Sequence, residues 1–485
     1  MEFKIGTKFN DVLTNEVIEN WDGNVILDGA TGSGKTYFIE NNLYDYASRN
    51  FKNILFLCNR TALYNDICLE KAENNLFDLD IMLYQTLQCK LLTGEELKHY
   101  DYIVCDEIHY VQVDAMFNVY TNITYDWITT QDDSIVVYMS GTGTSIFDKL
   151  IKDKIVKLDN YYKIPYDYSY ANIKFYKKKC DVYNIINTVL TNTDEEKVIY
   201  FANSISDALS VYKQFKQFAT LRVSEHVKND EAKSLNNVNC IKTYNKDLIT
   251  YENRLLITTK ALDNGITLKD RNIKHIISDI FDLDSAQQCL GRKRIIDDND
   301  KCTFYIRDYN KKAIGNFKGG INNQLKPIET FVTDKDMYFK MYSSNRKFHS
   351  DYIYPNIDGQ LTYNKLAYWK LQNESDVITL SEELSYRLIF LSHLEADINY
   401  DDLEWLEEYQ MKDEFQLYLN NLVGEKLFKE EQEELKKQFE KAGLKDRTMG
   451  INTLNGKLND ENIPYKIVAK KSNGKRYWTI ENHLW

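Results

Sequence analysis

The 485-residue sequence lacks a long apolar run, a closely spaced cysteine pair and an excess of positive charge. No apolar run approaches the roughly 20 residues that cross a bilayer, and the first residues carry no apolar signal segment. The eight cysteines include no C-x-x-C pair, and several, such as Cys58 and Cys105, lie inside apolar runs. We therefore expect a cytoplasmic protein with no membrane partner, whose cysteines are small core residues in a reducing compartment rather than zinc ligands or disulfides.

Composition also limits how the chain can bind polyanions and how many cores it forms. The formal net charge is −12, so any nucleic-acid site would have to be a local channel rather than the whole surface. The hydrophobic content of 43% and the charged content of 28% are typical of globular proteins. Because a single core stops growing at about 250–300 residues, a chain of this length predicts three or four domains.

The first stretch with a chemical pattern joins a buried strand to a glycine-rich loop and a helix. Apolar residues 25–27 lead through Asp28 into Gly29-Ala30-Thr31-Gly32-Ser33-Gly34-Lys35-Thr36, and a helix-like segment follows. This order is the setting of a phosphate-binding P-loop, in which backbone N–H groups face an anion. Lys35 would reach the β- and γ-phosphates, and the Thr36 hydroxyl would bind Mg²⁺. The alternative is a chance match to a glycine-rich turn, and the flanking strand and helix argue against it.

A second apolar strand, residues 102–105, delivers two adjacent carboxylates and then a histidine. Asp106 and Glu107 point in alternate directions, which separates their tasks. Asp106 can hold Mg²⁺, and Glu107 can take a proton from an attacking water. A lone histidine is by default a core or surface residue, but the position of His109 after this pair and a P-loop predicts a functional role.

Polar residues also follow other apolar runs of the first third. Arg60 and Thr61 come after the run at 54–58, where α/β sheets place ligand contacts, although an ordinary solvated loop explains them equally well. Thr86 belongs to a weaker signal of the same kind. Ser140 and Thr142 follow the run at 135–139, where hydroxyls beside a nucleotide would couple phosphate state to movement, although alone this cluster predicts a turn.

In this order the signals resemble superfamily 2 helicases of the DExH type, in a form similar to those of phages or mobile elements. Residues 29–36 match motif I, 59–63 resemble motif Ia, Thr86 stands at motif Ib, and 106–109 match motif II. Residues 140–142 resemble motif III, with Gly141 in place of the usual alanine. No Phe-plus-Gln adenine-recognition motif precedes the P-loop, which argues against the DEAD-box RNA subgroup.

The next part of the chain resembles motifs IV and V of the same family. Asn203 follows a strand pattern at 197–201, as motif IV does. Thr258 and Thr259, with Gly265, resemble motif V, and Lys260 stands where many relatives carry aspartate. In the family this segment touches the nucleic-acid backbone and the nucleotide.

Residues 284–294 resemble motif VI, Gln-x-x-Gly-Arg-x-x-Arg. Helical spacing puts Gln288, Gly291 and Arg292 on one face. The expected last arginine is replaced by Ile295, and Arg294 lies one residue early. We therefore favour Arg292 as the arginine finger and rank Arg294 second; the alternative is a basic solvated helix turn.

The rest of the chain carries no helicase motif. Lys318–Asn323, with two adjacent glycines, predicts a turn or linker, and residues 330–440 are mostly helical in pattern. Asp401–Glu408 is acidic and amphipathic, which indicates a solvated face or a partner surface rather than a nucleic-acid patch.

The last residues predict two helices and a basic hairpin, an order that resembles a winged-helix module. Helix patterns cover 426–439 and 449–459, and Asn473-Gly474 between two β-prone runs is a strong hairpin signal. Basic hairpin residues would meet phosphates while Tyr477 or Trp478 stacks on bases, unless the hairpin only caps the module. The basic residues are Lys470, Lys471, Lys475 and Arg476.

The resemblance implies an α/β fold of two tandem RecA-like P-loop domains with parallel sheets. We place these domains at 1–160 and 161–315, a helical accessory region at 316–425 and the winged-helix-like module at 426–485. ATP and Mg²⁺ would lie between the first two domains. The catalytic set would be Lys35, Asp106, Glu107, Gln288, Arg292 and Arg294; the nucleotide would contact 29–36 and Gly265; and His109, Ser140 and Thr142 would couple the two.

The implied activity is that of an ATP hydrolase working as a nucleic-acid helicase or translocase, and we favour DNA over RNA. Nucleic acid would contact Arg60, Thr61, Thr86, Asn203, Thr258, Thr259 and the basic hairpin. Two alternatives stay open: a double-strand translocase or remodeller, and an ATP-gated binding switch that does not unwind. A partner protein in replication, recombination or defence would fit, and the oligomeric state is left open.

Overall fold

The computed structural model describes most of the chain. The described residues are 3–30, 32–245, 248–260, 268–342, 351–356, 359–394, 415–446, 448–461, 463–472 and 474–483. Within these ranges no helix is both long and apolar enough to cross a membrane.

The first domain is built on six parallel strands in the order β3-β2-β4-β5-β1-β6. Successive residues of a strand enter opposite cores: Val25 and Leu27 pack on one face of the sheet and Ile26 on the other. Helices cover both faces, which is why the central strands are continuous apolar runs. The strands are Asn24–Asp28 (β1), Ile54–Cys58 (β2), Leu79–Leu83 (β3), Tyr102–Cys105 (β4), Ile135–Ser140 (β5) and Val156–Lys163 (β6).

The helices of this domain connect the strands and leave the strand ends open toward one edge. The helix after the P-loop passes through a π-helical stretch, Phe38–Leu43, between its first and last turns. The helices are Phe9–Val12 (α1), Asn15–Glu19 (α2), Lys35–Tyr37 (α3), Tyr44–Arg49 (α4), Thr61–Asn74 (α5), Tyr84–Thr93 (α6), Tyr110–Ala115 (α7), Thr121–Thr129 (α8) and Thr144–Lys152 (α9).

The second domain repeats the plan with six parallel strands in the order β7-β14-β13-β8-β12-β9. A small antiparallel pair, β10 and β11, lies beside it. The strands are Ala171–Tyr176 (β7), Lys197–Phe201 (β8), Ala219–Arg222 (β9), Ile241–Asn245 (β10), Leu248–Tyr251 (β11), Leu255–Thr258 (β12), Ile273–Ser278 (β13) and Cys302–Arg307 (β14). The helices are Lys179–Asn192 (α10), Ile205–Gln214 (α11), Asp230–Leu235 (α12) and Leu283–Gly291 (α13). The predicted fold of two tandem RecA-like domains is confirmed.

The accessory region is helical, as predicted, but it packs on both domains. Its elements are Lys311–Thr333 (α14), Lys335–Tyr342 (α15), Ile353–Pro355 (β15), Leu361–Tyr363 (β16), Lys365–Leu384 (α16) and Tyr386–Leu394 (α17). The turn predicted at Lys318–Asn323 is wrong, because these residues lie inside α14. Two glycines cost about 1 kcal/mol each in a helix, and the buried Leu325, Ile328 and Phe331 of α14 offset that cost. The predicted boundary at residue 316 also falls inside this helix.

The C-terminal module has its own apolar core and the predicted element order. Helical residues 415–421 contribute Phe415 and Leu419 to that core, so the module includes residues before the predicted start at 426. Leu427 pairs with Trp478 through two backbone hydrogen bonds, an isolated antiparallel bridge beside the two-stranded hairpin. The remaining elements are Lys429–Lys441 (α18), Ile451–Asp460 (α19), Tyr465–Ser472 (β17) and Lys475–Asn482 (β18). The acidic stretch at 401–408 lies outside the described residues.

Candidate active site

The P-loop connects β1 to α3 at the edge where the strands end. Gly32 and Gly34 have φ values of 92° and 85°, a left-handed conformation that side chains disfavour. Lys35 is buried, and its ammonium donates hydrogen bonds to the carbonyls of Gly29 and, at 3.2 Å, Ala30. Burial lowers the pKa of Lys35, although the nearby carboxylates oppose that shift. The Lys35 side chain thus lies within the P-loop and binds its carbonyls. Thr31 lies outside the described residues.

The N-terminal segment holds the P-loop from outside, a role that sequence reasoning missed. The Phe9 N–H donates to the Ser33 carbonyl at 3.0 Å, and Lys8 Nζ donates to the Gly32 carbonyl at 2.6 Å. The cleft is also lined by Gly6 and Thr7. No phenylalanine–glutamine pair marks this segment in the sequence.

Asp106 and Glu107 follow β4 in a tightly held turn. The Asp106 N–H donates to the Leu57 carbonyl at 2.9 Å, and the Tyr84 hydroxyl donates to the Asp106 carbonyl at 2.9 Å. Glu107 has a φ of 48°, a left-handed conformation that costs a non-glycine residue about 1–3 kcal/mol. The surrounding hydrogen bonds maintain this strained conformation beside the P-loop.

The two carboxyl groups have opposite pKa shifts. Burial, together with the negative charge of Glu107, raises the pKa of Asp106 to about 7. Burial acts in the same direction on Glu107, but its hydrogen bond to His109 and the charges of His109, Lys35 and Arg60 outweigh it and lower its pKa. Glu107 is therefore the carboxylate that stays ionised near neutral pH.

His109 and the residues at the end of β5 and just beyond it form a polar cluster around Glu107. His109 Nδ1 lies 2.8 Å from Ser140 Oγ and 3.2 Å from Glu107 Oε2. Ser140 Oγ lies 3.2 Å from the same Glu107 oxygen, and the Thr142 N–H donates to Ser140 Oγ at 3.0 Å. Two sequence-predicted residues from two motifs, His109 and Ser140, therefore contact the carboxylate of Glu107.

Gln288 connects this cluster to the second domain. It projects from α13, and its amide Nε2 donates to Thr142 Oγ1 at 2.6 Å and lies 3.0 Å from His109 Nε2. If His109 Nε2 accepts from this amide, the imidazole proton is on Nδ1, which faces Glu107. Motif VI thereby contacts motifs II and III directly.

Arg292 and Arg294, which directly follow α13, differ in position. A Cβ atom on Gly32 would lie 2.5 Å from Arg294 Nη1, so the Arg294 guanidinium rests against the P-loop. Arg292 lines the same cleft, and its buried Nε has no hydrogen-bond partner among the described residues. Lys293 between them points inward and binds Asp300 at 2.8 and 2.9 Å. The structure thus places Arg294 against the P-loop, whereas the sequence analysis favours Arg292 as the arginine finger. Which of the two arginines acts as the arginine finger stays a prediction.

Arg60, for which the sequence predicts a nucleic-acid contact, also lines this cleft. It lines the cleft with Glu107 and Ser33, and its charge helps to lower the pKa of Glu107. A motif Ia residue that was expected to contact nucleic acid therefore acts electrostatically on the carboxylate pair. No sequence pattern predicts this direction, because a strand-end loop can turn toward either side.

The other predicted nucleic-acid residues are spread over the surface, except one. Thr258 is completely buried, and its hydroxyl donates to the Thr259 carbonyl at 3.3 Å, so it cannot reach a ligand in this structure. Thr61, Thr86 and Asn203 are exposed, and Thr259 is half-buried. On the C-terminal hairpin Lys470 pairs with Glu481 at 2.5 Å, and Lys471, Lys475 and Arg476 are exposed. Gly265 lies outside the described residues.

Tyrosines of the interdomain segment complete the cleft. The Tyr166 hydroxyl lies 2.7 Å from the buried carboxylate of Asp28 and 2.9 Å from the Gly141 carbonyl. Tyr168 stacks on Tyr166 and accepts a hydrogen bond from Gln287 of α13 at 2.6 Å. The alternating Tyr166-x-Tyr168-x-Tyr170 was the available sequence signal.

The cleft has a volume of about 530 Å³ and is lined by both RecA-like domains. A profile of the family described as type III restriction enzyme, res subunit, matches residues 9–75, which contain the P-loop. The solved structure of S. cerevisiae Dbp5 bound to RNA and ADP BeF3 is similar to this protein over 64% of the present chain and 86% of the Dbp5 chain, at 12% identity and a TM-score of 0.44. No curated protein matches the sequence.

Proposed function

We propose that the protein is an ATP-driven nucleic-acid motor that hydrolyses ATP in the interdomain cleft and separates or moves along nucleic-acid strands. DNA is the favoured substrate, because no DEAD-box RNA adenine motif precedes the P-loop. The observation that carries the proposal is the contact of Gln288 with both Thr142 and His109. Gln288 belongs to the second domain and His109 contacts Glu107, so this contact would link the position of the second domain to the surroundings of Glu107.

The residues at the cleft fit ATP and Mg²⁺. The P-loop presents left-handed glycines at 32 and 34, and Lys35 lies behind them. No three carboxylate, histidine or cysteine side chains converge on a metal site within the described ranges. Mg²⁺ would therefore be held by Asp106 and Thr36 together with phosphate oxygens and water, its usual coordination in such sites. When bound, it would neutralise charge that develops on the transferred phosphoryl group.

The protein's own residues would divide the remaining work. Glu107, ionised and held by His109 and Ser140, would orient and deprotonate the attacking water. Arg294 or Arg292 would stabilise the charge on the transferred group, and Arg60 would add a positive charge from the first domain. Lys35 would leave the carbonyls of Gly29 and Ala30 for the phosphates. ATP would favour domain closure because it contacts both domains, and its hydrolysis would remove that link.

The C-terminal module supplies a further surface for nucleic acid. Lys471, Lys475 and Arg476 lie exposed at one end of the β17–β18 hairpin. Tyr477 packs near Phe428, with ring centroids 5.9 Å apart, and the Lys426 ammonium lies 5.4 Å from its ring. The exposed cations would therefore contact phosphates, and base stacking by Tyr477 would require it to leave these neighbours.

Strand displacement separates the proposal from its two alternatives. A partial DNA duplex, a fully double-stranded DNA with a third strand to be displaced, and the matching RNA duplex would each be incubated with Mg²⁺-ATP. Release of the single strand supports a helicase, and release of the third strand alone supports a double-strand translocase. Nucleic-acid binding that depends on ATP, with no displacement in any substrate, supports the binding switch.

Two variants tie the activity to the cleft. Lys35→Ala is expected to lose ATP turnover, and Glu107→Gln to retain ATP binding but lose hydrolysis. Strand displacement at the wild-type rate by Glu107→Gln would contradict the proposed role of the cleft.

A further inference from the structure

Helix α16 of the accessory region runs from the core of the first domain to the core of the second. Leu366 and Ala367 in its first turn are buried with the first domain's apolar residues. Ile378, three turns later, is buried with the second domain's apolar residues. One rigid element therefore contacts both halves of the helicase core.

Buried amides fix the start of α16 to the first domain. Asn364 donates to the Ala115 carbonyl at 2.7 Å and accepts from the Asn122 amide at 2.8 Å. The Asn122 side chain in turn accepts from the Leu366 N–H at 3.2 Å. Ala115 is the last residue of α7, the helix that begins directly after His109, so α16 is anchored to the helix that directly follows motif II.

Two side chains one helical turn apart then contact the two domains separately. Asn373 Nδ2 donates at 2.9 Å to Ser145 Oγ, which also accepts from Gln112 of α7 at 2.8 Å. Ser145 comes three residues after Thr142. Lys370, on the same side of α16, binds the Asp282 carboxylate of the second domain at 3.3 Å.

Asp282 is the residue that begins the motif VI helix. Its Oδ1 accepts from the Ser285 N–H at 3.0 Å and from the Ser285 hydroxyl at 2.6 Å, which caps α13, while Oδ2 accepts from Lys370. The side chains of Lys370 and Asp282 are only 17% and 20% exposed, so solvent screens the pair weakly. Gln288 lies six residues further along the same helix, about 9 Å from the cap at 1.5 Å per residue.

We propose that Lys370 and Asn373 are positioning residues for ATP hydrolysis, which set motif VI against motifs II and III from the accessory helix. This inference rests on the proposed function. The Lys370–Asp282 contact fixes the start of α13, the helix that carries Gln288, and the Asn373–Ser145 contact fixes the segment that directly follows Thr142. Gln288 and Thr142 are the two sides of the interdomain hydrogen bond, so α16 sets the distance between them.

The test compares variants of one lysine and its two acidic partners. Lys370 also binds Glu374 at 3.2 Å, within α16 itself. Lys370→Met and Asp282→Asn both remove the link to α13, and asparagine still caps a helix. Glu374→Gln removes the other partner and leaves the link, so it is the matched control. Steady-state ATP turnover is measured for each variant with and without single-stranded DNA, alongside the midpoint of thermal unfolding.

Lys370→Met and Asp282→Asn are each expected to lower kcat about tenfold with little change in KM for ATP, because small misplacements of catalytic groups are costly. The double variant is expected to be no slower than either single variant, since both remove one contact. Lys370→Arg should restore most of the rate, and Glu374→Gln should keep it.

Three outcomes would overturn the inference: wild-type kcat in Asp282→Asn, an additive double variant, or an equal loss of kcat in Glu374→Gln. If wild-type kcat in Asp282→Asn comes with a loss of kcat and a lower unfolding midpoint in Lys370→Met, the role of Lys370 is structural. The proposed function fails separately, when wild-type turnover is unaffected by every nucleic acid while the variants still differ in basal kcat.

Discussion

Gln288 provides the most direct prediction about the cleft. Its amide donates to Thr142 Oγ1 at 2.6 Å and lies 3.0 Å from His109 Nε2, so Gln288→Ala removes both contacts of this side chain with motifs II and III. A net hydrogen bond contributes about 0.5–1.5 kcal/mol. Loss of two would raise the barrier by about 1–3 kcal/mol, and because each 1.36 kcal/mol is tenfold in rate, kcat should fall about 5- to 150-fold.

The assay is steady-state ATP turnover with saturating single-stranded DNA, with kcat and KM determined separately. Gln287→Ala is the matched control, since Gln287 lies on the same helix and donates one hydrogen bond of 2.6 Å to Tyr168 rather than to motif II or III. The expected loss is in kcat, because the contact joins the domains around Glu107. A Gln288→Ala enzyme with kcat within about twofold of wild type would refute the coupling of motif VI to Glu107.

Three other predictions address the loop, the hairpin and a carboxyl pair. Arg294→Ala should lower kcat at least as much as Arg292→Ala, since Arg294 is the one that rests on Gly32; turnover assays showing a loss only in Arg292→Ala would restore the sequence-based ranking. Reversing the charge of Lys471, Lys475 and Arg476 should weaken DNA binding and lower the salt slope by about 0.9 per lost phosphate contact; the same reversal at Lys429, Lys437 and Lys441 of α18 is the control, and equal effects would assign no special role to the hairpin. Burial and the neighbouring Glu70 raise the pKa of Glu40 to about 8. Because the folded pKa exceeds the unfolded one, this group's stabilisation is present below pH 4.5 and is lost as the pH rises through 8. Glu40→Gln should therefore have a higher urea midpoint than wild type above pH 8, and a pH-independent difference would contradict this reading.

The parts of the site that sequence could predict are local in the chain. The P-loop, Asp106, Glu107 and Ser140 each follow an apolar run directly, and parallel strands bring their carboxyl ends to one edge of the sheet. The C-terminal hairpin was equally local, because Asn473-Gly474 separates two β-prone runs. Such patterns require no knowledge of distant residues.

The parts that sequence could not predict depend on contacts between distant residues. Arg294 faces the P-loop because Lys293 is drawn inward by Asp300, a pairing that no motif records. Arg60 lines the cleft together with Glu107, a residue 47 positions later in the chain. The Gly319-Gly320 pair lies in a helix because that helix buries apolar residues both before and after the pair in sequence. The position of α16 across both domains depends on amides more than 240 residues apart, such as Asn122 and Asn364.

The central claim is that nucleic acid stimulates ATP hydrolysis in a cleft shared by two domains. The most direct test is the rate of Mg²⁺-ATP hydrolysis by the full chain, measured without nucleic acid and with single-stranded DNA, duplex DNA or single-stranded RNA, with Glu107→Gln as the blank. The account predicts a higher rate with nucleic acid, greatest with DNA, and none above the blank in Glu107→Gln. An ATP turnover that no nucleic acid changes would contradict it.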